Sequence, residues 1–361
     1  MTIPFSAAHF APLPGPAVLA ITGLPDAIDD AAAGAPGGGF LRAAWYRAAA
    51  AAYGARDVRT FVGYGADGRV AVALPLARIG PRALRLAAVP GCYWPWRGFP
   101  VAEDAPTALV VAVLRAVAAT AWAWRLGPIH ADAPVVRRLA ELAPEAGWRL
   151  LFRPLASRFV LDVAALDAGG GWPRGSTLRK NRFHEKHLAA AGALEWTFHG
   201  GGDWDAALFA DLARIEAASW IARRTNSRDA KFDGTAHARF WAGAAADPAI
   251  AAMMRVALLR IDGAPAAFSF DLDVGGTRYA IANSYDRCFA RHSPGKLLQY
   301  RNLADGLARG VERVDWGAGD SGYKRTIGAT EAAPIVDCLL LRRNNPAAGL
   351  IRRLWARPIS A

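Results

Sequence analysis

Lysine is scarce in this chain of 361 residues: it occurs only as Lys180, Lys186, Lys231, Lys296 and Lys324, although lysine and arginine together number 43. The net charge of +12 is therefore arginine charge, spread through an alanine- and glycine-rich sequence without a basic run or a basic stripe interleaved with aromatics. No specific nucleic-acid surface is expected from such a distribution. Cysteine is nearly missing too. Cys92, Cys288 and Cys338 lie far apart with no C-x-x-C pair, which excludes a disulfide framework and a thiolate zinc site and fits a reducing cytoplasm. The first 16 residues have neither the basic start nor the apolar run of an export signal. Long apolar runs are missing as well: the longest, residues 107–124, is short for a bilayer span and carries Arg115 at its middle, so it reads as a buried core helix and no transmembrane segment is expected.

Several catalytic signatures are also lacking. There is no G-x-S-x-G elbow and no H-E-x-x-H, and Gly175 is followed by Ser176 and Thr177 where a phosphate-binding P-loop needs lysine. His184 and His187 share a helix face, but no third ligand accompanies them, so no metal is expected.

What is present is a large apolar content, 53% of residues, enough to fill the cores of two domains. One plan occurs twice. A hairpin with Asp67-Gly68 in its turn spans residues 61–79, and another with Asp262-Gly263 spans 256–274; Asp-Gly supplies the positive φ that a tight turn needs. Each hairpin follows a helix-rich segment (41–53; 205–224) and precedes a strand, an apolar helix (107–124; 297–309) and another strand (125–130; 311–317). The expected fold is α/β of the α+β kind, two similar units with mixed central sheets flanked by helices, divided as 1–157 and 158–361.

The densest chemistry lies between Tyr279 and Lys324. A strand leads through a short loop into a helix, with Ser293, Gly295, Lys296 and Leu297 at the entry, where unpaired backbone N–H groups and the helix dipole favour an anion such as a pyrophosphate. The next strand carries Asp315 among apolar residues, and a polar turn with Asp320, Tyr323 and Lys324 follows. A carboxylate in an apolar strand is costly unless it is paired or sits at an opening, so Asp315 reads equally as a structural bond or as a catalytic group. Asp271 alternates with Phe268, Phe270 and Leu272 on a half-polar strand that faces either water or a groove. Glu216 and Trp220 stand four apart on one predicted helix and so share a face. Tyr285 ends the strand before the loop, and Tyr93, Trp94 and Trp96 form an aromatic cluster in the first half.

These blocks resemble a known family. The strings YAIANSYD, SPGKLLQYRNL and VDWGAGDSGYK, with STLRKNR at 176–182 and IEAASW at 215–220, are similar to CelD-type acyltransferases of the GNAT superfamily over roughly residues 160–330. The resemblance implies tandem GNAT-like domains, of which the first is degenerate and binds no donor. It implies a cytoplasmic N-acyltransferase that moves an acyl group from acetyl-CoA or a longer acyl-CoA to a small-molecule amine by direct attack on the thioester. Ser293, Gly295, Lys296, Leu297 and Lys324 would bind the donor, and Asp315, Asp320 and Tyr323 would serve as base or orienting group and as proton donor to the thiolate. Glu216, Trp220, Asp271 and Tyr285 would contact substrate. Two rivals stand beside this expectation: a Fem-type transferase drawing on aminoacyl-tRNA, and a non-catalytic scaffold in polysaccharide or lipid assembly.

Overall fold

The computed structural model describes residues 17–91, 97–170, 172–225, 229–234, 236–319 and 322–356. The first half runs β1 (Ala17–Thr22), α1 (Ala27–Ala33), α2 (Ala43–Tyr53), β2 (Arg56–Tyr64), β3 (Val70–Ile79), β4 (Leu86–Ala88), α3 (Thr107–Ala118), β5 (Ala123–His130), α4 (Pro134–Leu142) and β6 (Trp148–Asp162). The short α5 (Val163–Ala168) and α6 (Gly175–Leu188) follow. The second half then repeats the order. It runs β7 (Leu194–Gly200), α7 (Ala206–Ala218), α8 (Trp220–Thr225), α9 (Ala236–Ala245), α10 (Pro248–Ala251), β8 (Met254–Ile261), β9 (Ala264–Val274) and β10 (Thr277–Tyr285). After these come α11 (Pro294–Ala308), β11 (Arg313–Ala318), α12 (Tyr323–Ile327), β12 (Thr330–Arg342) and α13 (Ala348–Trp355).

Local chemistry accounts for most of these elements. The β8–β9 turn places Asp262 at φ 48° and Gly263 at φ 77°, the paired positive angles of a two-residue hairpin. Helix α3 buries Leu109, Val110, Val113, Leu114 and Val117 and turns Arg115 outward to the Glu145 carbonyl, so the membrane-like stretch is a core helix. That helix stops at Ala118, and Ala123 already begins β5. Among the described residues no helix is long and apolar enough to cross a membrane.

Among the described residues twelve strands join one mixed sheet, ordered β1-β2-β3-β4-β5-β12-β6-β11-β10-β9-β8-β7. In each half an antiparallel run ends in a parallel pair, β4 with β5 and β10 with β11. The sixth strand of each half is exchanged: β12 pairs with β5 of the first half, β6 pairs with β11 of the second, and the two pair with each other from Thr330↔Val160 to Arg342↔Trp148. Strand β6 runs unbroken through residues 157 and 158. The cores are shared as well. Trp45 of α2 stacks on Phe240 and meets Trp241 edge-on, in one cluster with Phe268 and Phe270 of β9.

The halves differ where their parallel strands diverge. Beyond β4 the chain folds back, so that Arg97 exchanges backbone hydrogen bonds with Gly127 and Pro128, while Ala73 N–H donates to Pro100 and Ala102 N–H to Ala71. This segment fills the gap between β3 and β5. At the register position of Asp315 the first half has Arg125, whose guanidinium is bonded to the buried Asp337. The cluster Tyr93, Trp94 and Trp96 lies outside the described residues.

Candidate active site

In the second half the corresponding gap is open. Strands β10 and β11 pair only from Thr277↔Arg313 to Tyr279↔Asp315, and β10 then bulges between Ala280 and Ala282. A bulge takes one residue out of the ladder and bends its strand, here Ile281, away from β11. Between the parted strands lies a cavity of about 330 Å³, lined by Tyr279, Ala280 and Ile281 on one side and by Asp315, Trp316 and Gly317 on the other. Pro128, Leu155 and Ile335 from β5, β6 and β12 close it. The strand exchange thus brings first-half residues into the wall of a second-half opening.

Asp315 is almost fully buried there. Its Oδ1 accepts a hydrogen bond from the Gly317 N–H at 2.8 Å; its Oδ2 lies 3.3 Å from Arg158 Nε on β6 and 3.4 Å from His130 Nε2 at the end of β5. Arg158 also reaches Asp132 at 3.3 Å. Burial raises the Asp315 pKa above the ordinary carboxylate value, opposed by the neighbouring Arg158 charge. Burial and the same arginine push the His130 pKa down to about 3, so its imidazole is neutral at pH 7. Contacts of 3.3–3.4 Å are loose, as catalytic hydrogen bonds often are before substrate binds.

The remaining predicted residues have distinct places. Lys324 is buried, and its ammonium donates to the carbonyls of Trp316, Ala318 and Gly319 at 2.9, 3.0 and 2.6 Å. Three such bonds clamp the turn that closes the cavity and turn the charge away from the α11 entry. Asp320 lies outside the described residues, as does the side chain of Tyr323, whose backbone opens α12.

At the other end of β10, Ser293 precedes α11 with φ 52° and accepts the N–H groups of Lys296 and Leu297 on its carbonyl. Because Pro294 has no N–H and Ser293 takes those of Lys296 and Leu297, the helix start offers an anion fewer donors than a glycine-rich loop. Gly295 is needed for contact: a Cβ there would stand 2.9 Å from Asn283 Oδ1 and from Tyr285 Cδ1. Leu297 is buried with Leu298 against Ala257 and Leu259 and anchors the helix. Charge comes from the side. Burial and Lys180 lower the Lys296 pKa, and His184 is lowered by burial and by the charges of Lys180, Lys296, His292 and His187. Cations crowded this way relax when an anion enters. Helix α6 adds exposed Arg179, Arg182 and Lys186, with Phe183 59% exposed among them.

The predicted substrate residues do not form one group. The predicted helix 205–224 is broken at Ser219, which is extended; its hydroxyl donates to the Glu216 carbonyl and accepts from the Ile221 N–H. Glu216 and Trp220 therefore do not share a face. The Glu216 carboxylate is buried and accepts the N–H groups of Lys231 and Phe232, holding that segment. Asp271 is fully buried beneath α11, where its Oδ2 accepts from Asn302 Nδ2 at 2.8 Å, and burial raises its pKa to about 7. Beside it Arg278 clasps Asp273 through Nε and Nη2. Trp220 and Tyr285 meet at a second cavity near the α11 start. Sequence reading missed His130, Asp132 and Arg158. His130 and Asp132 lie in the half expected to be degenerate, and Arg158 stands at the expected boundary of the two units, so nothing local marked them as a group.

The comparisons accord with this geometry. Residues 175–325 match the family model of an acetyltransferase (GNAT) domain. Among solved structures, FemX superposes with a TM-score of 0.57 at 13% identity, covering 90% of this chain and 97% of that one. The C-terminal DUF2156 domain of a lysylphosphatidylglycerol synthetase candidate from Agrobacterium fabrum gives 0.53 at 17% identity, with 87% and 90% covered. A protein of unknown function from Bacteroides thetaiotaomicron gives 0.52 at 12% identity, with 83% and 90% covered. No curated protein matches the sequence. At such identities the superpositions speak for the fold alone. Residues 175–325 are thus similar to a GNAT acetyltransferase domain, and the chain as a whole has a mixed α/β fold like that of FemX and of the DUF2156 domain.

Proposed function

We propose that the protein is an N-acyltransferase that passes the acyl group of acetyl-CoA, or of a longer acyl-CoA, to an amine by direct attack on the thioester, as the likeness to CelD-type enzymes implies. The observation that carries this reading is the cavity where β10 and β11 part, with Asp315 in its wall and the α11 entry at the far end of the same strand. The donor's phosphates take the α11 entry beside Gly295, Lys296 and Lys180, and the pantetheine arm follows β10 inward. Past Tyr279 the β10 edge that faces β11 has no strand beside it among the described residues, so its N–H groups are free to polarise the thioester carbonyl.

The amine nitrogen then bonds to the carbonyl carbon, the C–S bond breaks, the ammonium proton passes to a base and the thiolate gains a proton. Asp315, whose pKa burial raises, takes the amine's proton, with the neutral His130 imidazole and the Arg158 guanidinium beside it to orient the carboxylate. Asp320 is the other candidate base, and Tyr323 protonates the thiolate. Calorimetry with acetyl-CoA tests the reading; no binding at millimolar ligand removes it.

A second reading has one observation in its favour. The exposed basic face of α6 beside the α11 entry suits a polyanionic donor, as in a Fem-type transferase using aminoacyl-tRNA. Binding of charged tRNA with no binding of acetyl-CoA would select it, and binding of neither would select the scaffold.

A further inference from the structure

The cavity beside Asp315 is longer than the reacting atoms require. Its lining runs from Ile281 on β10 past Trp316 on β11 to Leu155 and Ala156 on β6, Ile335 on β12 and Pro128 on β5. These strands are neighbours in the order β10-β11-β6-β12-β5. Successive strands stand about 4.8 Å apart, so the ends of the lining are separated by up to about 19 Å. The pairing of Ala156 with Ile335, and of Ile335 with His130, sets the far wall in one row across the sheet. The space is a narrow channel crossing the strands, and the exchange of β6 and β12 carries it into the first half.

Polar and apolar parts of this space are separate. Asp315 is the one charged side chain in the wall among the described residues, and Arg158 links it outward to Asp132, whose carboxylate is half-exposed. An incoming ammonium, costly to strip of water without carboxylates along its way, fits that side. The rest of the wall is apolar. At about 30 Å³ for each water-sized group, the 330 Å³ hold about eleven such groups, of which the acetyl carbonyl, its methyl and the attacking nitrogen are only about four. Water does not suit the remainder either, since a buried water needs about two to four polar partners.

We propose that the channel seats the acyl chain of the donor, that the preferred donor is a medium-chain acyl-CoA of about six to eight carbons, and that Leu155, Ala156 and Ile335 set its length. The thioester carbonyl stays at the open β10 edge, and the chain runs from it across β11 and β6 toward Pro128. The product is then an amide that carries an apolar tail. The assignment rests on the acyltransferase reading and narrows it.

Calorimetry of the full chain with acetyl-, butyryl-, hexanoyl- and dodecanoyl-CoA tests it. Affinity should rise about fourfold for each methylene from acetyl to hexanoyl and gain little more by dodecanoyl, where the channel is full. Ala156→Phe and Leu155→Trp each fill the channel from a half-buried position, so in either variant that keeps a cooperative thermal melt hexanoyl-CoA should bind no better than acetyl-CoA. Binding of acetyl-CoA with no dependence on chain length would overturn the proposal and leave the acyltransferase reading standing. A rise that continues evenly to dodecanoyl, the mark of adsorption to a surface, or one that survives in a folded filled variant would also overturn it. Length dependence shown instead by free amines, octylamine over butylamine, would give the channel to the acceptor. Failure of all four thioesters to bind would remove the acyltransferase reading itself.

Discussion

Asp315 shows how far a single residue can be read before its surroundings are known. Its place in an apolar strand marked it as costly, and the cost is visible in a raised pKa, but the partners that decide its use, His130 and Arg158, come from the other half of the chain. Lys324 shows the reverse. Its scarcity and position pointed to an anion, whereas its ammonium donates to three carbonyls of one turn. A charge near a site can serve the backbone, and nothing in a linear sequence tells the two uses apart.

The His130–Asp315 pair yields a test of both chemistry and stability. Asp315→Asn should lower kcat about 10²–10³-fold with acetyl-CoA affinity nearly unchanged, because the carboxylate acts on the amine's proton and not on the donor. The depressed pKa of His130 also sets a sign. The unfolded chain protonates His130 below its ordinary 6.5, the folded chain only near 3, so the unfolded state holds more protons in between. The stability His130 contributes is complete above pH 6.5 and is lost as pH falls through about 3. Urea denaturation across that range should show a shallower acid limb in His130→Gln; an identical pH profile would mean that the imidazole is not held neutral.

At the scale of elements, the strand and helix order was legible because turns and periodicities are local. The break at Ser219 was not, since alanine-rich sequence runs on through it and only the hydroxyl's two backbone bonds interrupt the helix. Helix α11 carries two expectations. Gly295→Val would drive its Cβ into Asn283 and Tyr285, lifting the helix start from β10; acetyl-CoA affinity should fall by at least about tenfold, measured by calorimetry, with thermal stability lowered too. Beneath the same helix, Asp271 has a folded pKa of about 7 against an ordinary 3.8. The folded state therefore holds the extra proton between these values, and stability falls as pH rises through them. Asp271→Asn keeps the shape without the ionisation, so relative to wild type it should gain stability between pH 5 and pH 8 in thermal melts.

For the whole molecule, strand exchange matters most. Each half lacks its own sixth strand, and α2 of the first half lies in the aromatic core of the second. Calorimetric unfolding should therefore give one transition, not two, and separately produced segments 1–157 and 158–361 should fail to fold until mixed. The filled gap at Arg97 and Arg125 leads to a further expectation of one acetyl-CoA per chain; two per chain would show that the first half is competent after all.

The sequence by itself determined the doubled α/β plan, the hairpins, the core helices and the open α11 entry, because each follows from residues close together in the chain whose patterns act locally. Only the tertiary structure decided that the halves exchange β6 and β12, that the first half closes its gap while lending His130 and Arg158 to the second, and that Glu216, Asp271 and Lys324 bind their own backbone or core. The exchange and the shared site depend on contacts between residues more than a hundred positions apart, such as His130 with Asp315, and the last outcome depends on which neighbours take up a buried charge. Neither is encoded in any one stretch of chain.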